Sequence, residues 1–188
     1  MDFLTHLFVY AGVINSLYFP AAIYICWARN GYFSFKEYPV SIAGHNSETA
    51  RFFMLSTIVS AFLEACFLYA IFAHFPELNT PLLIALPAVG MSSLVVAGVL
   101  HGPNNRMIHR GAVFVMFGSL LAWSCIFTYA MFRINPLVGG ASAGLTFISV
   151  VSALYFKYRY DMFGIAQLIF AASVIIWNLL FTYAILYP

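Results

Sequence analysis

Charge is what this sequence has least of. Lysine, arginine, aspartate and glutamate together make up 7% of its 188 residues, where a soluble domain carries roughly 25%. That shortfall excludes a water-soluble globule. No basic run and no basic–aromatic stripe is present, which excludes nucleic acid as a partner. Cysteine is nearly missing too. Cys26, Cys66 and Cys125 are an odd, scattered set inside or at the edge of apolar segments, so they make no disulfide framework and no metal motif and read as small hydrophobes. Asn46, Asn79 and Asn104 each fail the Asn-x-Ser/Thr acceptor pattern. Also missing are an H-E-x-x-H helix, a serine-nucleophile motif and a phosphate-binding glycine loop. No metal, haem or other cofactor is expected.

What remains is apolar: 63% hydrophobic, 19% aromatic, with a mean hydropathy of +0.92. The composition is that of an integral membrane protein. The chain has room for about six spans of roughly 20 residues. Six apolar segments separate, at approximately 3–28, 51–74, 81–101, 111–133, 136–156 and 162–186. Backbone polar groups in hydrocarbon must bond within their own segment, and the long runs lack barrel alternation, so the spans are helices. The fold expected is an all-α, up-and-down bundle of six transmembrane helices, one domain over 1–188 with no soluble part. The stretch "MDFLTHLFVYAGV" lacks a basic leader region and is expected to be a retained first span. Pro81 and Pro136 suit helix starts. Pro20 and Pro87, inside spans, predict kinks. Gly140 and Gly144 form a small-xxx-small pair that favours close helix contact.

Alternating spans place the odd-numbered loops on one membrane face. Those loops and their flanks hold Arg29, Lys36, Arg51, Arg106, Arg110, Lys157 and Arg159, against Arg133 opposite. The positive-inside rule puts the odd loops in the cytoplasm.

The same face collects the polar chemistry. "HNSETARFF", residues 45–53, gathers His45, Asn46, Glu48 and Arg51, and "HGPNNRMIHR", residues 101–110, adds His101, Arg106, His109 and Arg110. Part of the first stretch is a helix start: Asn46 or Ser47 caps the second span, Glu48 meets the helix dipole and Arg51 pairs with it. The functional reading joins both stretches into a headgroup-level site. Its candidate residues are His45, Glu48, Arg51, Arg106, His109 and Arg110, whose cations suit a phosphate or an anionic lipid surface. A metal reading gathers His45, Glu48, His101, His109 and Asp161, without a metal-binding spacing. Glu64 stands alone near the middle of the second span, and a carboxyl there marks function or is bonded to a neighbour. Asn15, Ser16, Gln167 and Asn178 are the polar groups at comparable depth.

Two short stretches carry a resemblance. "PVSIAGHNSETARFF" followed by "SAFLEA", and "HRGAVFVMFG" opening the fourth span, resemble the six-helix family that includes the damage-regulated autophagy modulators and relatives acting in GPI-anchor lipid remodelling and phospholipid control. Ser41, Gly44, Glu48, Phe52 or Phe53, His109, Gly111 and Ala112 match its pattern, while Ile42 stands where the family has an acidic residue. The resemblance implies a lipid-handling protein, with Glu48 and His109 orienting a headgroup. It also implies a first loop on the outer or lumenal face, opposite to the basic-residue count.

The expectation is therefore a small membrane protein that binds or handles lipid at the rim of loops 1 and 3. Two alternatives stay open beside a transporter role built on Glu64. One is a membrane enzyme with Glu48 and His109 as an acid–base pair. The other is a structural subunit of a larger complex. Membrane lipids are the expected partners, with a membrane-protein partner or a second copy left open. Tyr158 and Tyr160 suit interfacial anchors.

Overall fold

The computed structural model describes residues 3–31, 47–100, 105–160 and 163–187; within these, nothing is described of the side chains of Ser47, Arg106, Ala153, Lys157–Tyr160 and Phe163. Six helices account for nearly all of it: α1 (Phe3–Asn30), α2 (Ser47–His74), α3 (Pro81–Val99), α4 (Arg106–Ile134), α5 (Pro136–Tyr160) and α6 (Phe163–Leu186). A short 3₁₀ turn, Pro76–Leu78, joins α2 to α3. All six helices are long and apolar enough to cross a membrane. The protein is a multi-pass integral membrane protein.

Helix ends follow local chemistry. Thr80 caps α3, its side chain accepting from the Leu83 amide, and Pro81 takes the first position, where no amide donor is needed. Asn135 Oδ1 accepts from the Val138 amide at 3.1 Å and starts α5 just before Pro136. Gly31, at φ 69°, closes α1 in the left-handed conformation that glycine adopts without strain. The helices run on through Pro20 and Pro87.

The structure lengthens four of the six expected spans, chiefly at the odd-loop end. α2 begins at Ser47 and α4 at Arg106, while α1 reaches Asn30 and α5 reaches Tyr160. A 28-residue helix is about 42 Å long, beyond a hydrocarbon core of about 30 Å. The extra turns are polar and lie on the odd-loop side. Hydropathy locates the hydrocarbon crossing, whereas the helix continues into the headgroup layer.

Each helix packs on its neighbours in sequence, and α6 returns to pack on α1. The six therefore close into a ring. The outer surface carries large apolar side chains such as Leu17, Phe62, Phe114 and Phe147, which face lipid. The inside carries small and polar ones, among them Ser16, Thr57, Ser60, Ser149 and Ser173, all buried. In a bilayer, lipid is as apolar as leucine, so small residues that let backbones approach hold such an interface together.

The ring is filled asymmetrically. At the end bearing the chain termini, Phe67, Phe127, Phe181, Met131, Leu78 and Leu83 are almost wholly buried and form one core cluster with Trp123 and Trp177. Trp177 packs on Phe181 with ring centroids 4.3 Å apart, on Phe127 at 5.3 Å and edge-on to Trp123 at 5.0 Å. This aromatic plug closes the ring below its middle.

The close glycine contact lies one residue before the small-xxx-small pair. A Cβ on Gly144 would meet nothing within 4 Å, and one on Gly140 would make ordinary contact with the Phe132 ring. A Cβ on Gly139 would instead lie 2.6 Å from the Phe132 backbone nitrogen. Backbone cannot yield as a flexible side chain does. Gly139→Ala is expected to destabilise the α4–α5 turn by at least about 1 kcal/mol, despite the helix propensity that alanine gains. Gly144→Ala is expected to be neutral or mildly stabilising. Unfolding of the two variants in mixed micelles checks both.

Candidate functional site: a cavity inside the helix ring

Above the plug the ring is hollow. A cavity of about 230 Å³ is lined by residues from all six helices. It runs from the odd-loop end, at Phe53, Gly98, His109 and Gln167, to the middle of the bundle, at Asn15, Glu64, Trp123 and Asn178. Its walls are mainly apolar: Ile23, Met91, Leu94, Val113, Phe170 and Val174 among others.

The residues of α2 show how the sequence builds one wall. Phe53, Thr57, Ser60 and Glu64 recur at helical spacing and all line the cavity. Residues three or four apart share one helix face. Glu64 at the foot of this stripe is partly accessible, and the cavity is the space it borders.

Two asparagines hold the Glu64 carboxyl, one from α1 and one from α6. Asn15 Nδ2, on α1, donates to Glu64 Oε2 at 2.7 Å. Asn178 Nδ2, on α6, donates to the same oxygen at 3.1 Å. Both asparagines are buried, 7% and 1% exposed. A lone carboxyl among hydrocarbon is expensive; here two amide donors converge on it and tie α1, α2 and α6 together. The amide oxygens Asn15 Oδ1 and Asn178 Oδ1 are buried with no partner, as is Trp123 Nε1.

His109 sits at the other end. Its Nδ1 lies 2.9 Å from the Ala97 carbonyl oxygen, in the last turn of α3, where carbonyls lack helical partners. A carbonyl only accepts, so Nδ1 carries the proton in this contact. His109 thus ties α3 to α4 and lines the mouth of the cavity.

The residues singled out from sequence divide. His109 lines the cavity and Glu64 and Asn15 form its floor. Glu48 stands in the first turn of α2 and is exposed, as are Arg51 and Arg110; none of the three lines the cavity. By the 100° step per residue, Glu48 points about 150° away from the stripe of Phe53, Thr57, Ser60 and Glu64. Glu48 therefore points away from the cavity that His109 lines. Gly111 is exposed and Ala112 buried. His45, His101, Ser41, Gly44 and Asp161 lie outside the described residues, as do the side chains of Arg106, Tyr158 and Tyr160. Among the described residues no group of three His, Cys, Asp or Glu side chains gathers as a metal site would need.

Sequence reasoning missed the cavity itself and most of its wall, including Ser60, Trp123, Ser149 and Trp177. The signal was present as a run of small and polar residues at helical spacing ending on Glu64.

No curated protein and no solved structure matches the chain. A family model does, over residues 13–184. That stretch holds every residue lining the cavity, and by it the chain belongs to the family described as Protein of unknown function (DUF998).

Proposed function

We propose that this protein is a membrane-embedded binding protein that takes a small amphipathic molecule, of the lipid class, from the bilayer into the ring of helices. The observation that carries the reading is the hollow between all six helices, apolar along its walls and ending on a carboxyl held by two asparagines. Binding sites for small molecules have this make-up, apolar walls with a few placed polar groups. At about 230 Å³ the cavity lies below the roughly 300–1,000 Å³ typical of drug-sized ligands. It suits a single-chain amphiphile rather than a whole phospholipid.

The exposed Arg51 and Arg110 at the odd-loop end serve as a basic rim that holds anionic lipid heads beside the mouth, each worth about 1 kcal/mol. The basic excess of that end supports a cytoplasmic orientation for it. The likeness to the damage-regulated autophagy modulator family, which opens α4 at His109, supports a lipid ligand.

Tryptophan fluorescence tests the reading. All three tryptophans, Trp27, Trp123 and Trp177, are buried, and two of them line the cavity. Bromoundecylamine, bromoundecanol and bromoundecanoate carry a quenching bromine on the same chain. Added to the protein in bilayers, at least one is expected to give saturable quenching, which Ala171→Phe, by filling the cavity, abolishes while the protein stays folded. Quenching by all three that rises without saturation, equally in the filled variant, would overturn it.

A further inference from the structure

We infer that the ligand of this cavity is a small amphipathic amine, bound with its ammonium against Glu64. The inference rests on the binding role just proposed and adds the chemical class of the ligand.

The polar groups around Glu64 present mainly acceptors. The two asparagines spend their amide hydrogens on Glu64 Oε2, which fixes their orientation: a carboxylate oxygen accepts, so the amide nitrogens must face it. Their oxygens are then left as buried acceptors without a donor. Five of the seven lining hydroxyls have spent their hydrogens too. Ser16 donates to the Gly12 carbonyl at 2.8 Å, Thr57 to Met54 at 2.7 Å and Ser124 to Leu120 at 2.8 Å. Ser149 donates to Leu145 at 2.9 Å and Ser173 to Ile169 at 2.9 Å. What each offers is oxygen lone pairs.

A buried acceptor without a donor costs free energy, and two such oxygens flank one carboxyl. An ammonium supplies three donors and a positive charge, which meets all of these needs at once. An anionic head meets none of them. Among the described residues lining the cavity there is no lysine or arginine, and the Trp123 indole N–H is a buried donor left open there. The apolar walls above require an apolar body on the same molecule, which separates an amine from a bare alkali ion.

The three brominated amphiphiles decide it. Bromoundecylamine is expected to quench Trp123 and Trp177 with an affinity at least tenfold above that of bromoundecanol or bromoundecanoate. Glu64→Gln keeps the shape and removes the charge, and is expected to weaken amine binding roughly 10- to 100-fold. N-acetylation of the amine, which needs no variant, is expected to weaken it to the same degree. Equal or tighter binding of the carboxylate or the alcohol, or an amine affinity unchanged by Glu64→Gln and by acetylation, overturns the inference and leaves the binding role standing. A saturable response to sodium chloride over N-methylglucamine chloride, with none to the amine, overturns it in favour of a metal cation. Failure of all three amphiphiles to saturate removes the binding role as well.

Discussion

Phe127→Ala is expected to lower the stability of the bundle by about 3–5 kcal/mol. Phe127 is wholly buried and packs against Trp123, Trp177 and Phe181, with ring centroids 4.7, 5.3 and 5.1 Å away. Truncation removes the ring's dispersion contacts and leaves a void that close-packed neighbours fill only in part. The void adjoins the floor of the cavity, because Trp123 and Trp177 belong to both the plug and the cavity wall. Loss of stability should therefore come with loss of the single, closed cavity end. Phe62→Ala, on the lipid-facing surface of α2, is the matched control and is expected to cost less than about 1 kcal/mol. Equal effects of the two substitutions on unfolding in mixed micelles would show that the aromatic cluster is not a packed plug.

The second large effect concerns Glu64 and its two asparagines, and its signature is non-additivity. Asn15→Leu together with Asn178→Leu strips Glu64 of both donors. The cost expected is about 1–3 kcal/mol for each partner removed, because the carboxyl stays behind among hydrocarbon. Adding Glu64→Leu to that pair is expected to recover much of the loss, since replacing every member of a buried polar group by apolar residues is often neutral or stabilising. A double variant no less stable than the protein itself would mean that the three side chains do not act as a unit. Additive losses in the triple variant would mean the same.

Much of this architecture is legible in the amino-acid sequence alone. Membrane class and helix number follow from scarcity of charge and from runs near 20 residues, because hydrocarbon leaves the backbone few options. Glu64 and Asn15 stand out for the same reason: a polar group inside an apolar run has few harmless explanations. Their conjunction with Asn178, 114 residues from Glu64 in sequence, is tertiary, and several polar residues at similar depth are equal candidates for it. Hydropathy misses the turns at 47–50 and 106–110 because helix and hydrocarbon end in different places. Glu48 lies away from the cavity for a rotational reason. Once Phe53, Thr57, Ser60 and Glu64 face inward, Glu48 must face out. The cavity leaves the weakest trace, since Gly90, Ala97 and Ser149 in a span read equally as close packing and as open space.

Labelling with dicyclohexylcarbodiimide tests the central claim, a lipid-accessible cavity with Glu64 at its floor, most directly. This apolar reagent partitions into the bilayer and converts carboxyls it reaches to stable N-acylureas, which peptide mass mapping locates. Glu64 is expected to carry the adduct in membranes, ahead of the exposed Glu48 and Glu77. Ala171→Phe, or saturating bromoundecylamine, is expected to suppress it. Glu64 left unmodified, or modified equally when the cavity is filled, would contradict the account.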